Sequence, residues 1–303
     1  MEIESVRGSS IQVFAHIPKT AGSTLVQVMQ RQFRQDEILS YEDSFWAVSI
    51  RDLPDRAAAG LKGIRCVMGH TPFGMHEAVD REVKYVTLLR DPVEWTLSYF
   101  SYVKERRGNF PNDPRMPQLA LFADVPRMSL DDWVKFMEDT GMANLQTRYV
   151  SGYLDLRNPL PPYDRLPETA IDLATTNLFS TRTTFGIVEH FDLSLLLFKK
   201  RLGWRNIYYR RANVTQVRLA RAQVPARTLA RIQELHGEDV RLYNVAMDGF
   251  WRALEQCGLE GPYVLYRFRA ANRAYGLLRD GVGLIRRLAG RTLRAVGSPR
   301  ADA

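Results

Sequence analysis

Cysteine is scarce in this chain of 303 residues: only Cys66 and Cys257 occur. That excludes a disulfide framework and any thiolate cage for a metal, and it favours a reducing compartment. The five histidines, at 16, 70, 76, 190 and 236, are scattered and form no H-E-x-x-H or similar zinc pattern. No run of about 18 uninterrupted apolar residues exists, so no membrane span is expected. The opening MEIESVRGSS lacks an apolar stretch of signal-peptide length, which leads to the expectation of a cytoplasmic protein. Internal repeats are also missing.

What is present is ordinary for a globular protein. The chain is 45% hydrophobic and 25% charged, enough to bury a core, with a length that suits one large domain or two small ones. The net charge of +8 is unevenly placed. Nine arginines and two aspartates between Pro262 and Ala303 supply +7 of it, leaving the rest near +1. The basic surplus therefore belongs to the tail and says little about a substrate cleft.

β-Branched and aromatic runs predict strands at 11–17, 65–69, 84–89 and 184–188, with a shorter one near 38–41. Helical spacing predicts helices at 23–34, 92–104, 129–140, 142–150, 168–179, 192–202 and 226–256. Ser129 is the expected N-cap of the third, and Gly237 is expected to kink or split the last. Strands that alternate with helices imply a parallel sheet covered on both faces. The expected fold is α/β, a P-loop-like three-layer arrangement with a central parallel sheet flanked by helices. The stretches Gly108–Pro117 and Arg157–Pro167 read as surface loops able to carry substrate contacts.

The first strand runs into AHIPKTAGSTL, Ala15 to Leu25. Pro18 ends the strand, because it cannot donate to a ladder. Lys19, Thr20, Ala21, Gly22, Ser23 and Thr24 fill the loop and first helical turn. Backbone N–H groups at such a helix start, with its dipole, favour an anion. Gly22 allows close backbone approach, Lys19 adds a charge, and Ser23 and Thr24 add hydroxyls. This is a phosphate cradle, but not the triphosphate loop G-x-x-x-x-G-K-[ST], since the lysine precedes the only glycine. No acidic strand end suited to magnesium is evident either.

A second segment, LLRDPVEWTLSYF, spans Leu88 to Phe100. Arg90 falls where a parallel strand meets its helix, the sheet edge at which ligands bind in such folds. Asp91 can cap that helix and Pro92 suits its first position. Ser98 follows Arg90 by about two helical turns. If Ser98 lies on the exposed helix face, both could grip one phosphate, arginine through its planar fork.

Together these two segments resemble the cofactor motifs of the PAPS-dependent sulfotransferases, PAPS being 3′-phosphoadenosine 5′-phosphosulfate. The likeness is to the carbohydrate branch, the family that includes heparan sulfate 2-O-sulfotransferase. NLQTRYVSG (Asn144–Gly152), FGIVEHFDLSLLLFKKRLGW (Phe185–Trp204) and VRLYNVAMDGFWRAL (Val240–Leu254) also look like stretches such proteins carry. The resemblance spans about 11 to 257 and implies transfer of a sulfuryl group to a hydroxyl, on a carbohydrate or glycolipid. It implies that the first motif holds the 5′-phosphosulfate and the second the 3′-phosphate. The chain departs from the pattern at Trp95, where many relatives carry arginine or another polar residue; Trp95 is expected to pack against the sheet or near adenine.

Sulfuryl transfer, like phosphoryl transfer, depends on positioning and charge stabilisation. Lys19 would neutralise the bridging oxygen of the departing nucleotide, with the loop amides and the Ser23 and Thr24 hydroxyls beside it. No metal is required, because the leaving phosphate is already a good leaving group. His70, at the carboxyl end of the 65–69 strand, is the candidate base, since an imidazole titrates in the useful range. The Gly69-His70 pair also matches the place where the resembling family puts a catalytic histidine. His76 is its rival. His16 is expected to brace the loop, and His190 and His236 to be structural or on the surface. Glu42 and Asp43 are weaker carboxylate candidates. Gln146 and Arg148, on one expected helix, either line the cleft or face solvent, and Arg210, Arg211 and Asn213, after the NIYY segment, either form a loop over the cofactor or are solvated.

The core domain is expected over 1–258 and a basic extension over 259–303. The extension fits an amphipathic helix on an anionic membrane surface, a solubilising tail or a helix packed on the core. Gly276, Gly281, Gly283 and Gly290 argue against an unbroken helix there. No nucleic-acid module is recognisable. Two other function classes stay open: a P-loop-type nucleotide-dependent kinase, and a non-catalytic protein that binds polyanions or a membrane surface.

Overall fold

The computed structural model describes residues 10–42, 46–105, 117–210 and 219–296. Asp43, Arg211, Asn213 and most of the 108–117 loop lie outside the described residues. Five strands form one sheet: β1 (Ile11–Ala15), β2 (Ile38–Tyr41), β3 (Cys66–Gly69), β4 (Val83–Leu89) and β5 (Thr183–Ile187). Their order is β2-β3-β1-β4-β5, and every pairing is parallel. The main helices are α1 (Gly22–Met29), α2 (Pro92–Glu105), α3 (Leu130–Asp139), α4 (Leu145–Ser151), α5 (Ala170–Leu178), α6 (Phe191–Leu202), α7 (Ala226–Leu235), α8 (Gly237–Gln256) and α9 (Pro262–Val296).

Strand residues alternate between the two faces, as a period of two dictates. Val13, Ala15, Val67, Tyr85 and Leu89 pack into one core with residues of α2, α3, α4, α5 and α8. Phe14, Cys66, Met68, Val86 and Leu88 pack into a second with α1 and α6. The result is the three-layer α/β fold expected from the sequence. A sheet buried on both faces explains why its strands are continuously apolar.

β1 ends at Ala15, two residues earlier than its composition predicts, and the chain turns at His16 toward the end of β2. The long predicted helix at 226–256 is two helices, broken between Leu235 and Gly237. Ser129 caps α3 through the amide of Asp132, in a reciprocal capping box. From β1 the chain leaves toward β2 on one side of the sheet. From β4 it leaves toward β5 on the other. The carboxyl ends of β1 and β4 therefore flank a topological switch point, where open parallel sheets hold ligands.

Candidate functional site

The loop after β1 carries an unusual backbone. Lys19 (φ 66°) and Ala21 (φ 62°) are both left-handed, two residues apart and neither a glycine. Each such residue costs about 1 kcal/mol or more, and strain of this kind clusters at ligand sites. Backbone turned this way gathers amides into a concavity suited to an anion. Among the described residues the amides of Ala21 and Gly22 have no hydrogen-bond acceptor. Thr20 is fully buried and its hydroxyl donates to the Ile17 carbonyl at 2.7 Å, fixing the turn from beneath. The Lys19 ammonium lies 3.9 Å from the centre of the Tyr102 ring on α2. Ser23 is half-buried and Thr24 buried, both in the first turn of α1.

The structure brings the second segment against this loop. The Arg90 guanidinium donates to the Lys19 carbonyl at 2.8 Å. Five residues on, the indole N–H of Trp95 donates to the Pro18 carbonyl at 2.7 Å. Trp95 is fully buried, so its polar edge satisfies a loop carbonyl while its body fills the core. Asp91 caps α2 by accepting from the Glu94 amide at 2.9 Å, and Pro92 opens the helix. Ser98 is only 6% exposed, so it does not sit on an open helix face. Among the described residues its hydroxyl makes no hydrogen bond.

Arg90 is itself held. The Gln146 side chain accepts from the Arg90 amide at 2.9 Å and donates to the Arg90 carbonyl at 2.8 Å. Gln146 sits in the first turn of α4, whose start is locked to the start of α8. The Asp239 carboxylate accepts from the amides of Gln146 and Thr147 at 3.2 and 2.7 Å, and from the Thr147 hydroxyl. In return the Asn144 side-chain oxygen accepts from the amides of Glu238 and Asp239, both at 3.0 Å. Two helix N-termini thus cap each other. Burial pushes the Asp239 carboxyl up to about 6, against the hydrogen bonds that favour its charge. Arg148 is buried and pins the next loop through the carbonyls of Tyr153 and Asp164.

Three strand ends meet beside the loop. His16 leaves β1 with Nδ1 at 2.8 Å from both Glu42 oxygens, at the end of β2. Its ring stacks on His70, at the end of β3, with centroids 4.3 Å apart. His70 donates from Nδ1 to the His16 carbonyl at 2.7 Å; a carbonyl can only accept, so the proton is on Nδ1 and the lone pair on Nε2. Burial, with His16 adding to it, lowers the His70 imidazole to about 3, so it is neutral at physiological pH. Burial pushes Glu42 up, but His16 and His70 more than offset this and hold it below the usual carboxylate range. His16, Glu42 and His70 bring their ligating atoms within 4.8 Å of one another.

His16 also explains the glycine. A Cβ on Gly22 would come within 1.8 Å of the His16 Nε2. The bare backbone of Gly22 therefore accommodates the imidazole rather than leaving that side open to a ligand. In an exposed first turn Gly→Ala would stabilise by up to ~1 kcal/mol. Here Gly22→Ala should instead destabilise by about 1–3 kcal/mol, because the ring must leave Glu42 and His70. Urea denaturation of the two proteins checks the sign; equal or greater stability in the variant would place the ring elsewhere.

His76 is engaged by the Tyr85 hydroxyl at 2.9 Å, and His190 packs on Trp251. His236 is fully buried; its Nδ1 accepts from the Asn144 amide at 3.1 Å and burial lowers it to about 3. The sign of its linkage is clear. Between its ordinary 6.5 and about 3 the unfolded chain binds a proton that the native state refuses, so stability is full above 6.5 and falls on acidification. His70 acts in the same direction. Asp239 opposes them: its contribution is full below 3.8 and is lost as pH rises through about 6. His190, lowered by burial, and the lowered carboxylates Glu42 and Asp132 act with the two imidazoles, while Asp91 and Glu189, raised by burial, act with Asp239; on balance acidification should weaken the fold. His236→Gln should reduce that slope by about one proton, ~1.4 kcal/mol per pH unit, in denaturation series from pH 7 to 4.

The fold and site thus define a three-layer, all-parallel α/β protein with a strained anion-type loop at its switch point. No family model matches the chain, and no curated protein matches it.

Proposed function

We propose that this protein is a PAPS-dependent sulfotransferase that moves a sulfuryl group to a hydroxyl of a carbohydrate or glycolipid. One observation carries the reading: the Arg90 guanidinium rests on the carbonyl of Lys19, so the two segments that resemble the sulfotransferase motifs adjoin at one crevice. The loop amides, Lys19 and the Ser23 and Thr24 hydroxyls suit a phosphosulfate. Arg90 suits the 3′-phosphate at the other end of the nucleotide; Ser98, buried on α2, does not present the exposed face that this contact needs.

When bound, the donor supplies a sulfuryl group on a phosphate leaving group. Lys19 offsets the charge that grows on the departing phosphate, helped by the amides of Ala21 and Gly22. His70 takes the acceptor proton at Nε2, the atom that carries its lone pair. Its depressed basicity keeps it unprotonated, and the negative charge of a bound donor would raise it toward the useful range. Glu42 and His16 hold the face against which His70 stacks.

A kinase would need a carboxylate to seat magnesium. β3 ends in Gly69-His70, and Asp91, after β4, is spent on capping α2 and pairing with Arg221 at 3.5 Å. A thermal-shift comparison separates the two. Adenosine 3′,5′-bisphosphate without metal should raise the melting temperature by mass action, and ATP with magnesium should not. The reverse pattern would favour the kinase.

Cys66 and Cys257 are free thiols, which suits the reducing cytoplasm we assign to the protein. No described helix is long and apolar enough to cross a membrane.

A further inference from the structure

The four most exposed large apolar side chains among those described all lie on α9: Tyr263 at 67%, Tyr266 at 69%, Leu277 at 74% and Leu278 at 70%. Such residues rarely gather on one exposed face without a partner. The helix is nevertheless attached to the core. Phe268 is buried beside Tyr208, Asn272 accepts from the Tyr209 amide at 2.7 Å, and Arg269 donates to Asp192 at 2.8 Å. At about 100° per residue, Phe268, Asn272 and Tyr275 fall on one side of the helix. Tyr263, Tyr266, Leu277 and Leu278 fall on the other. One face is thus anchored, and an apolar face looks outward. The helix also continues through Gly276 to Val296, where its glycine content predicts a break.

The charge on this helix selects the partner. Between Pro262 and Val296 the sequence holds eight arginines and a single acid, Asp280. Outward aromatic and leucine side chains combined with strong positive charge are the chemistry of a helix that lies in the headgroup layer of an anionic bilayer. The helix is not apolar enough to cross one. We propose that α9 docks the protein flat on an anionic lipid surface, with Tyr263, Tyr266, Leu277 and Leu278 inserted below the headgroups and Arg267 and Arg273, which lie beside that face, at phosphate level. This rests on the helix alone and is independent of the proposed chemistry.

The test is co-sedimentation of the full chain with vesicles of phosphatidylcholine, alone or mixed with phosphatidylglycerol. Binding to the mixed vesicles should be at least about tenfold tighter than to the neutral ones and should weaken with salt. The double variant Leu277→Asp, Leu278→Asp should lose about tenfold or more of that binding and keep its melting temperature, since both positions are exposed. Equal binding to both vesicle types, no binding to either, or full binding by the double variant would overturn the proposal. So would a soluble dimer, seen by analytical ultracentrifugation, that the double variant abolishes while vesicles capture neither protein.

Discussion

Replacing Lys19 by alanine should lower turnover by about two to three orders of magnitude, the usual cost of removing a group that stabilises transition-state charge. The loss should fall mainly on kcat, because the charge that Lys19 offsets is greatest as the leaving group departs. The fold should be unaffected. The Lys19 side chain is half-buried and lies over Tyr102, while the loop itself is held by Thr20, Trp95 and Arg90 through backbone carbonyls that alanine retains. Release of adenosine 3′,5′-bisphosphate from the donor, followed across a panel of hydroxyl acceptors, measures the effect. A variant with undiminished release would remove Lys19 from the chemistry.

His70→Ala should cost about 10²- to 10⁴-fold in kcat, the range for loss of a positioned general base, with nucleotide affinity little changed. The distinction follows from position. His70 ends β3, stacked on His16, whereas the cradle and Arg90 end β1 and β4. The pH profile gives a second readout. The wild type should lose activity on the acid side as His70 protonates, and the alanine variant should lack that limb. A variant that keeps full turnover, or one that loses nucleotide binding in parallel, would take the base role from His70.

The local parts of this molecule were legible in the sequence. β2 occupies 38–41 as its composition predicts, Gly237 divides two helices, and Ser129 caps α3. Each depends on a few neighbouring residues, whose propensities and caps act over short range. The positions of Lys19 and Arg90 at strand ends were legible for the same reason. What holds them together was not. Gln146 grips Arg90 across 56 residues, and Asp239 caps α4 across more than ninety. Asn144 and Asp239 are recognisable as capping types, but a capping residue does not announce which helix it will cap. Gly22 misled in a similar way: a glycine signals a close approach, and the approaching group is His16 rather than a ligand. Ser98 was placed on the right helix, yet its burial depends on packing that periodicity does not resolve. The glycines of α9 were given too much weight as breakers, because contacts at Phe268, Asn272 and Arg269 help to order its first half.

The most direct trial is a calorimetric titration of the full chain with adenosine 3′,5′-bisphosphate in the absence of metal, set beside the Arg90→Ala protein. If both phosphate ends are clasped in one crevice, the wild type should bind and the variant should bind at least tenfold more weakly, about 1.4 kcal/mol or more. A wild type that gives no heat of binding at any temperature tried, or a variant with the same affinity, would contradict it.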